Sequence, residues 1–100
     1  LRVYAPGTDL FYAYEVYNAS NEVYAAPSVW SGTEKIMSAP PDTLVPPSGD
    51  VPRFAARGRL KLGEALRAGN YVLQVTAATP DPKRRGRLRT AIQRMTFEVR

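Results

Sequence analysis

The chain has no histidine and no cysteine among its 100 residues. That removes imidazole acid–base chemistry, thiol nucleophiles, thiolate metal sites and disulfides together. What remains for catalysis is nine scattered carboxylates, or a serine or threonine paired with a lysine. Glycoside hydrolysis needs two acids a few ångströms apart in a cleft, and no spacing here marks such a pair. Asp9, Asp42, Asp50 and Asp81 are each followed by an apolar residue, threonine or proline, which is the context of solvated loop carboxylates rather than of a cation loop. Lys35, Lys61 and Lys83 fall on expected exposed strands or loops. The reading is of a chain with no catalytic activity, no cofactor and no metal.

Binding chemistry has two better candidates. Lys83, Arg84, Arg85, Arg87 and Arg89 form the only dense charge cluster, interrupted by Gly86 and Leu88. Such a run can contact phosphate or an acidic polymer. The favoured reading is a solvated hairpin tip whose charges discourage edge pairing. It lacks the interleaved aromatics that stack on bases, so no nucleic-acid partner is expected. Trp30, beside the Ser31-Gly32 turn, is the second candidate. A tryptophan near a loop can stack on a sugar ring or anchor a protein interface, or it can pack on its own sheet. Asn18-Ala19-Ser20 matches the glycosylation acceptor pattern and reads as a turn.

Charge is unevenly spread around the net +5. Residues 1–50 carry two cations against six carboxylates, and residues 51–100 carry twelve against three. This asymmetry can mark an acidic partner, or a basic strand lying beside an acidic one. The length suits one domain, residues 1–100, with one modest core. The chain opens at Leu1 and is expected to be a piece of a longer protein. No run approaches the roughly 18 apolar residues of a membrane helix, so no membrane insertion is expected.

These residues must be positioned by strands, because period-2 patterning wins nearly everywhere. Arg2–Ala5 is short and extended, stopped by Pro6-Gly7. Leu10–Asn18 alternates, with Leu10, Tyr12, Tyr14 and Val16 on one face and Phe11, Ala13, Glu15 and Tyr17 on the other. Glu15 is costly to bury, so its face should look outward. Asn18–Asn21 is a turn. Glu22–Trp30 is extended, with Pro27 suggesting an edge position or a bulge. Ser31-Gly32-Thr33 turns into a partner strand, Glu34–Ser38. Residues 39–52, rich in proline, form a crossing between sheets. Phe54–Leu62 follows, then a single helical turn at Gly63–Ala68 closed by Gly69 in a left-handed conformation.

Asn70–Thr79 is the clearest strand, with Tyr71, Leu73, Val75 and Ala77 on one face. After a basic loop, Arg89–Arg100 closes the fold. Ala91 or Ile92 enters the core, Met95, Phe97 and Val99 continue it, and the broken parity predicts a bulge near Gln93-Arg94. The pattern is that of an all-β sandwich of about seven antiparallel strands. The aromatics of FYAYEVYN then split, Tyr12 and Tyr14 inward as core and Phe11 and Tyr17 outward.

The stretch LGEALRAGNYVLQVTAA (62–78) resembles the corner and strand of immunoglobulin-like and fibronectin III-like sandwiches. The resemblance implies a tyrosine corner, with the Tyr71 hydroxyl returning to backbone near Leu66. Pro-Gly before LFYAYEVYNA, a hairpin, RGRLKLGEALRAGNYVLQVTA and the closing TAIQRMTFEVR together look like the C-terminal sandwich of bacterial von Willebrand factor A (VWFA)-related proteins. The match is poorer at VYAAPSVWSGTEKIM and PDPKRRGRL. The resemblance implies an extracytoplasmic, non-catalytic accessory domain, a spacer or contact module for another domain of the chain or a protein partner. Phe11, Tyr17 and Trp30 would make the contacts, with Lys83, Arg84, Arg85 and Arg87 as a second patch. A carbohydrate-binding module using exposed aromatics, or an electrostatic binder of acidic polymers through residues 83–89, are the alternatives.

Overall fold

In the computed structural model, residues 2–17, 22–44, 53–81 and 83–100 are described. They form eight strands: β1 (Arg2–Tyr4), β2 (Asp9–Tyr17), β3 (Val23–Ser31), β4 (Glu34–Ser38), β5 (Asp42–Leu44), β6 (Arg53–Lys61), β7 (Gly69–Pro80) and β8 (Leu88–Val99). No helix of the described residues is long and apolar enough to cross a membrane.

Six strands make one sheet in the order β1-β8-β7-β3-β4, with β5 also on β3, and β2 and β6 make a second, two-stranded sheet. The alternation in β2 explains why the two sheets stack as a sandwich. Leu10, Tyr12, Tyr14 and Val16 are buried on one face and join Ala56 and Leu60 of β6. Opposite them stand Val23, Ala25 and Val29 of β3, Tyr71, Leu73 and Val75 of β7, and Phe97 and Val99 of β8, in one continuous core. Burying a side chain of this size contributes about 1.5–3 kcal/mol, so the small sheet is held by its apolar face rather than by its ladder alone.

The all-β expectation holds, with two differences. The described residues hold eight strands against the expected seven or so, with Asp42–Leu44 adding β5 inside the proline-rich crossing. The sandwich is not wholly antiparallel either, since β1 runs parallel to β8, with Arg2 opposite Phe97 and Tyr4 opposite Val99. The expected turn at 18–21 lies outside the described residues, as does most of the proline-rich crossing.

Pro27 is neither at a sheet edge nor exposed: β3 lies between β7 and the β4/β5 pair, and Pro27 is buried. Its carbonyl accepts the Ala39 N–H at 3.2 Å. In a strand the nitrogen of a residue points the same way as its carbonyl, so the missing donor faces the outer side, away from β7. There the β3–β4 ladder ends at Ser28↔Ser38 and the β3–β5 ladder begins at Ala25↔Asp42. The proline thus falls at the break between two edge strands, where no donor is needed. A register shift does occur nearby, between Val29 and Trp30.

The Gly63–Ala68 corner is a turn closed by the Leu66 N–H on the Gly63 carbonyl at 3.2 Å, not a helical stop at Gly69. Gly69 is already the first residue of β7, with φ of 154°. The bulge expected at Gln93-Arg94 is absent: β7 and β8 pair without a register shift from Gly69↔Val99 to Pro80↔Leu88. The parity breaks because the core runs out. Gln93 keeps the inward position, and both Ala91 and Ile92 are exposed.

Candidate functional site

The β2–β6 pairing sets an acidic strand against a basic one. Asp9 lies opposite Lys61, Phe11 opposite Arg59 and Ala13 opposite Arg57. Because the even-numbered residues of β2 turn inward, Phe11 stands on the outer face, 62% exposed. Arg57 and Arg59 flank it in a shallow depression that Asp42 also lines. The Arg59–Asp9 pair is loose, 4.0 Å apart, and both groups are open to solvent. The outer face of the small sheet is therefore an exposed phenyl ring within a cationic strip. Tyr17 ends β2 opposite Arg53, and its side chain lies outside the described set.

Trp30 faces the other way. Val29 is fully buried, so its neighbour projects from the outer face of the large sheet. The indole is half-buried, its Nε1–H donating to Ser28 Oγ at 2.9 Å. The Ser28 hydroxyl in turn reaches the Gln74 carbonyl at 3.4 Å. Lys35 Nζ lies 5.5 Å from the ring centroid, a cation–π distance. One indole face and the polar edge are thus already engaged by the protein. On the same outer face lie Tyr24, 39% exposed, and Ile92, 48% exposed. Phe11 and Trp30 occupy opposite outer surfaces and do not form one platform.

Lys83, Arg84, Arg85 and Arg87 are all exposed in the connection between β7 and β8. The loop has its own geometry. The Asp81 N–H donates to the Arg87 carbonyl at 2.9 Å, and the Lys83 N–H donates to Asp81 Oδ1, also at 2.9 Å. Asp81 closes the loop in the manner of an Asx turn.

The Tyr71 hydroxyl donates to the Arg67 carbonyl at 2.6 Å, the backbone next to Leu66, which is itself partly buried against the core. The Tyr71 ring stacks on Phe97 with centroids 5.7 Å apart, and Tyr4 meets Phe97 edge-on at 5.8 Å. Tyr12 and Tyr14 are stacked at 6.0 Å. Burial raises the pKa of both. That of Tyr14 is pushed up to about 12, with the neighbouring Tyr12 and then the Asp42 charge adding to burial. For Tyr12 the Asp42 charge is the second cause.

Two features escape the sequence. The amide of Gln93 on β8 donates through Nε2 to the Glu15 carbonyl on β2 at 2.7 Å, joining the two sheets at their open side. The signal was a polar residue at a core-parity position. The other is a groove of about 300 Å³ on the same side, lined by Arg2, Leu10, Tyr12, Ala13, Met95 and Phe97 among others. Among the described residues no three acidic groups come together as a metal site. Compared with known proteins, the chain matches no protein-family model, no curated protein and no solved structure.

Proposed function

We propose that this chain is an immunoglobulin-like or fibronectin III-like sandwich acting as a non-catalytic accessory module, a spacer that contacts another domain of the same chain or a protein partner. The strand order β1-β8-β7-β3-β4 facing β2-β6, with β1 parallel to β8, supports that fold type. The tie from Tyr71 to Arg67 supports it too. The VWFA-related origin and the extracytoplasmic setting rest on the sequence resemblance.

The observation that carries the contact role is Phe11, a ring 62% exposed at the middle of a strand and flanked by two arginines. An aromatic beside arginine is the composition enriched at protein interfaces. The division of the aromatics between opposite outer faces favours a spacer over a sugar platform, which needs its rings on one face. Hydroxyl-radical footprinting of Phe11 in the isolated domain and in the intact protein tests this reading. Oxidation should fall severalfold when the neighbouring domain or partner is present. Equal oxidation in both would overturn it. A titration with heparin at two salt concentrations examines the basic loop, for which steep salt dependence would support an electrostatic binder instead.

A further inference from the structure

Among the described residues the small sheet has two strands, β2 and β6, so each of them is an edge there. In an antiparallel ladder, residues alternate between those that bond the partner and those that turn their backbone groups away. The Leu62 N–H donates to the Thr8 carbonyl at 2.9 Å, which fixes the parity. Leu10, Tyr12 and Tyr14 bond β6, while Asp9, Phe11, Ala13 and Glu15 turn their N–H and C=O groups to the side away from β6. The Glu15 carbonyl confirms the direction, since Gln93 Nε2 reaches it there. Among the described residues no backbone group bonds those of Phe11 and Ala13.

This open stretch borders the groove of about 300 Å³. Its floor is the cut side of the core, with Leu10 and Tyr12 on one wall and Leu73, Met95 and Phe97 on the other. The groove has two ends. Arg2 and Tyr4 of β1 stand at one, and the Gln93–Glu15 bond closes the other. Across the groove, the Arg100 N–H donates to the Tyr4 carbonyl, which makes the even-numbered residues of β8 face the β1 side. Among the described residues β1 pairs with β8 from Arg2↔Phe97 to Tyr4↔Val99, beside the groove.

We propose that this groove is a β-augmentation site that takes an extended peptide segment of a protein partner, paired antiparallel to β2 through the backbone of Phe11 and Ala13. Two residues' donors and acceptors in a row, repeating at about 7 Å, match an extended backbone and nothing smaller. Alternate side chains of that segment enter the groove between Leu10 and Met95, so they are apolar. The antiparallel direction brings its C-terminal end to Arg2, an exposed cation, so an acidic residue follows the apolar ones. A second copy of β2 fits less well: pairing two such edges about Tyr12 places Asp9 opposite Glu15. The proposal extends the contact-module reading but uses the backbone edge rather than the outer face, so each can fail without the other.

The probe is a capped seven-residue peptide alternating valine and threonine and ending in two glutamates, titrated into the ¹⁵N-labelled protein. Saturable binding is expected, with slowed amide exchange at Phe11 and Ala13 and shifts at the Met95 amide. N-methylating the peptide amides that face β2 should weaken binding at least tenfold, while methylating those that face away should not. This comparison leaves the protein unaltered, so a folding defect cannot mimic it. Arg2→Glu should reverse the preference to a peptide ending in two lysines. No binding, binding without protection at Phe11 and Ala13, or indifference to which face is methylated would each overturn the proposal.

Discussion

The Tyr12 ring lies directly across Gly58. A Cβ built on that glycine would come within 2.2 Å of Tyr12 Cζ and 2.3 Å of its hydroxyl oxygen. Gly58 sits opposite Tyr12 in the β2–β6 ladder, so the bare backbone is what lets the ring lie flat on its partner strand. Gly58→Ala should therefore destabilise the protein by about 1–3 kcal/mol through overpacking, although alanine is the better strand former. Urea unfolding checks the loss. In combination with Tyr12→Ala the penalty of Gly58→Ala should largely vanish, and strictly additive effects would show that the two residues do not meet.

Removal of the Tyr71 hydroxyl isolates one bond. Tyr71→Phe keeps the stack on Phe97 but leaves the Arg67 carbonyl without its side-chain donor. The expected cost is about 0.5–1.5 kcal/mol in a chemical denaturation midpoint. A larger loss, with changed near-ultraviolet dichroism, would place the ring rather than the hydroxyl at the centre of that corner.

Alkaline pH should weaken the fold through Tyr14. Its pKa is raised from 10.0 to about 12 by burial first, then by Tyr12 and the Asp42 charge. The unfolded chain loses this proton before the native state does, so the stabilisation is complete below pH 10.0 and is lost as pH rises toward about 12. Urea midpoints measured across that window should fall in the native sequence. They should fall less in Tyr14→Phe, which has no proton to lose there.

Trp30 reports on the outer face of the large sheet. Half-buried and bonded to Ser28, it should show iodide quenching between that of free indole and that of a core tryptophan. Ser28→Ala removes the acceptor and should raise the quenching constant, with a stability cost of about 1 kcal/mol. Unchanged quenching would mean that packing alone holds the indole.

Gln93→Ala should open the β2 edge. The variant removes the side chain that bridges from β8 to the Glu15 carbonyl, next to Phe11 and Ala13 on the same edge. Exposed edges pair with other edges, so concentration-dependent self-association is expected in size-exclusion runs where the native sequence stays constant.

Elements whose core face is continuous were legible in the sequence. The Leu10–Val16 alternation against Glu15 gave the correct inward set, and Tyr71, Leu73 and Val75 did the same for β7. The failures share a cause: each residue obeyed a neighbour that sequence does not name. Pro27 is tolerated inside the sheet because its outer partner changes from β4 to β5 at that point. Gln93 looks like a bulge because the core ends below it, and its amide serves the other sheet instead. Phe11 was set outward and stands outward, while Trp30 was left open between a ligand contact and packing on its own sheet and is half-buried. That they face opposite ways follows from which sheet each strand joins, and local pattern carries no information about that.

The parallel pairing of β1 with β8 also decides how the molecule bears a load. Force applied to the two ends of the chain would draw Arg2 and Val99 away from each other along their strands, because parallel neighbours present opposite ends to the pull. The bonds of that short ladder are then sheared together, whereas a hairpin such as β7–β8 pulled at its open end would unzip, losing its bonds in succession. Three paired residues at each side of one seam, backed by the Tyr4–Phe97 contact, would act as a mechanical latch that must slip before the rest of the sandwich feels any tension.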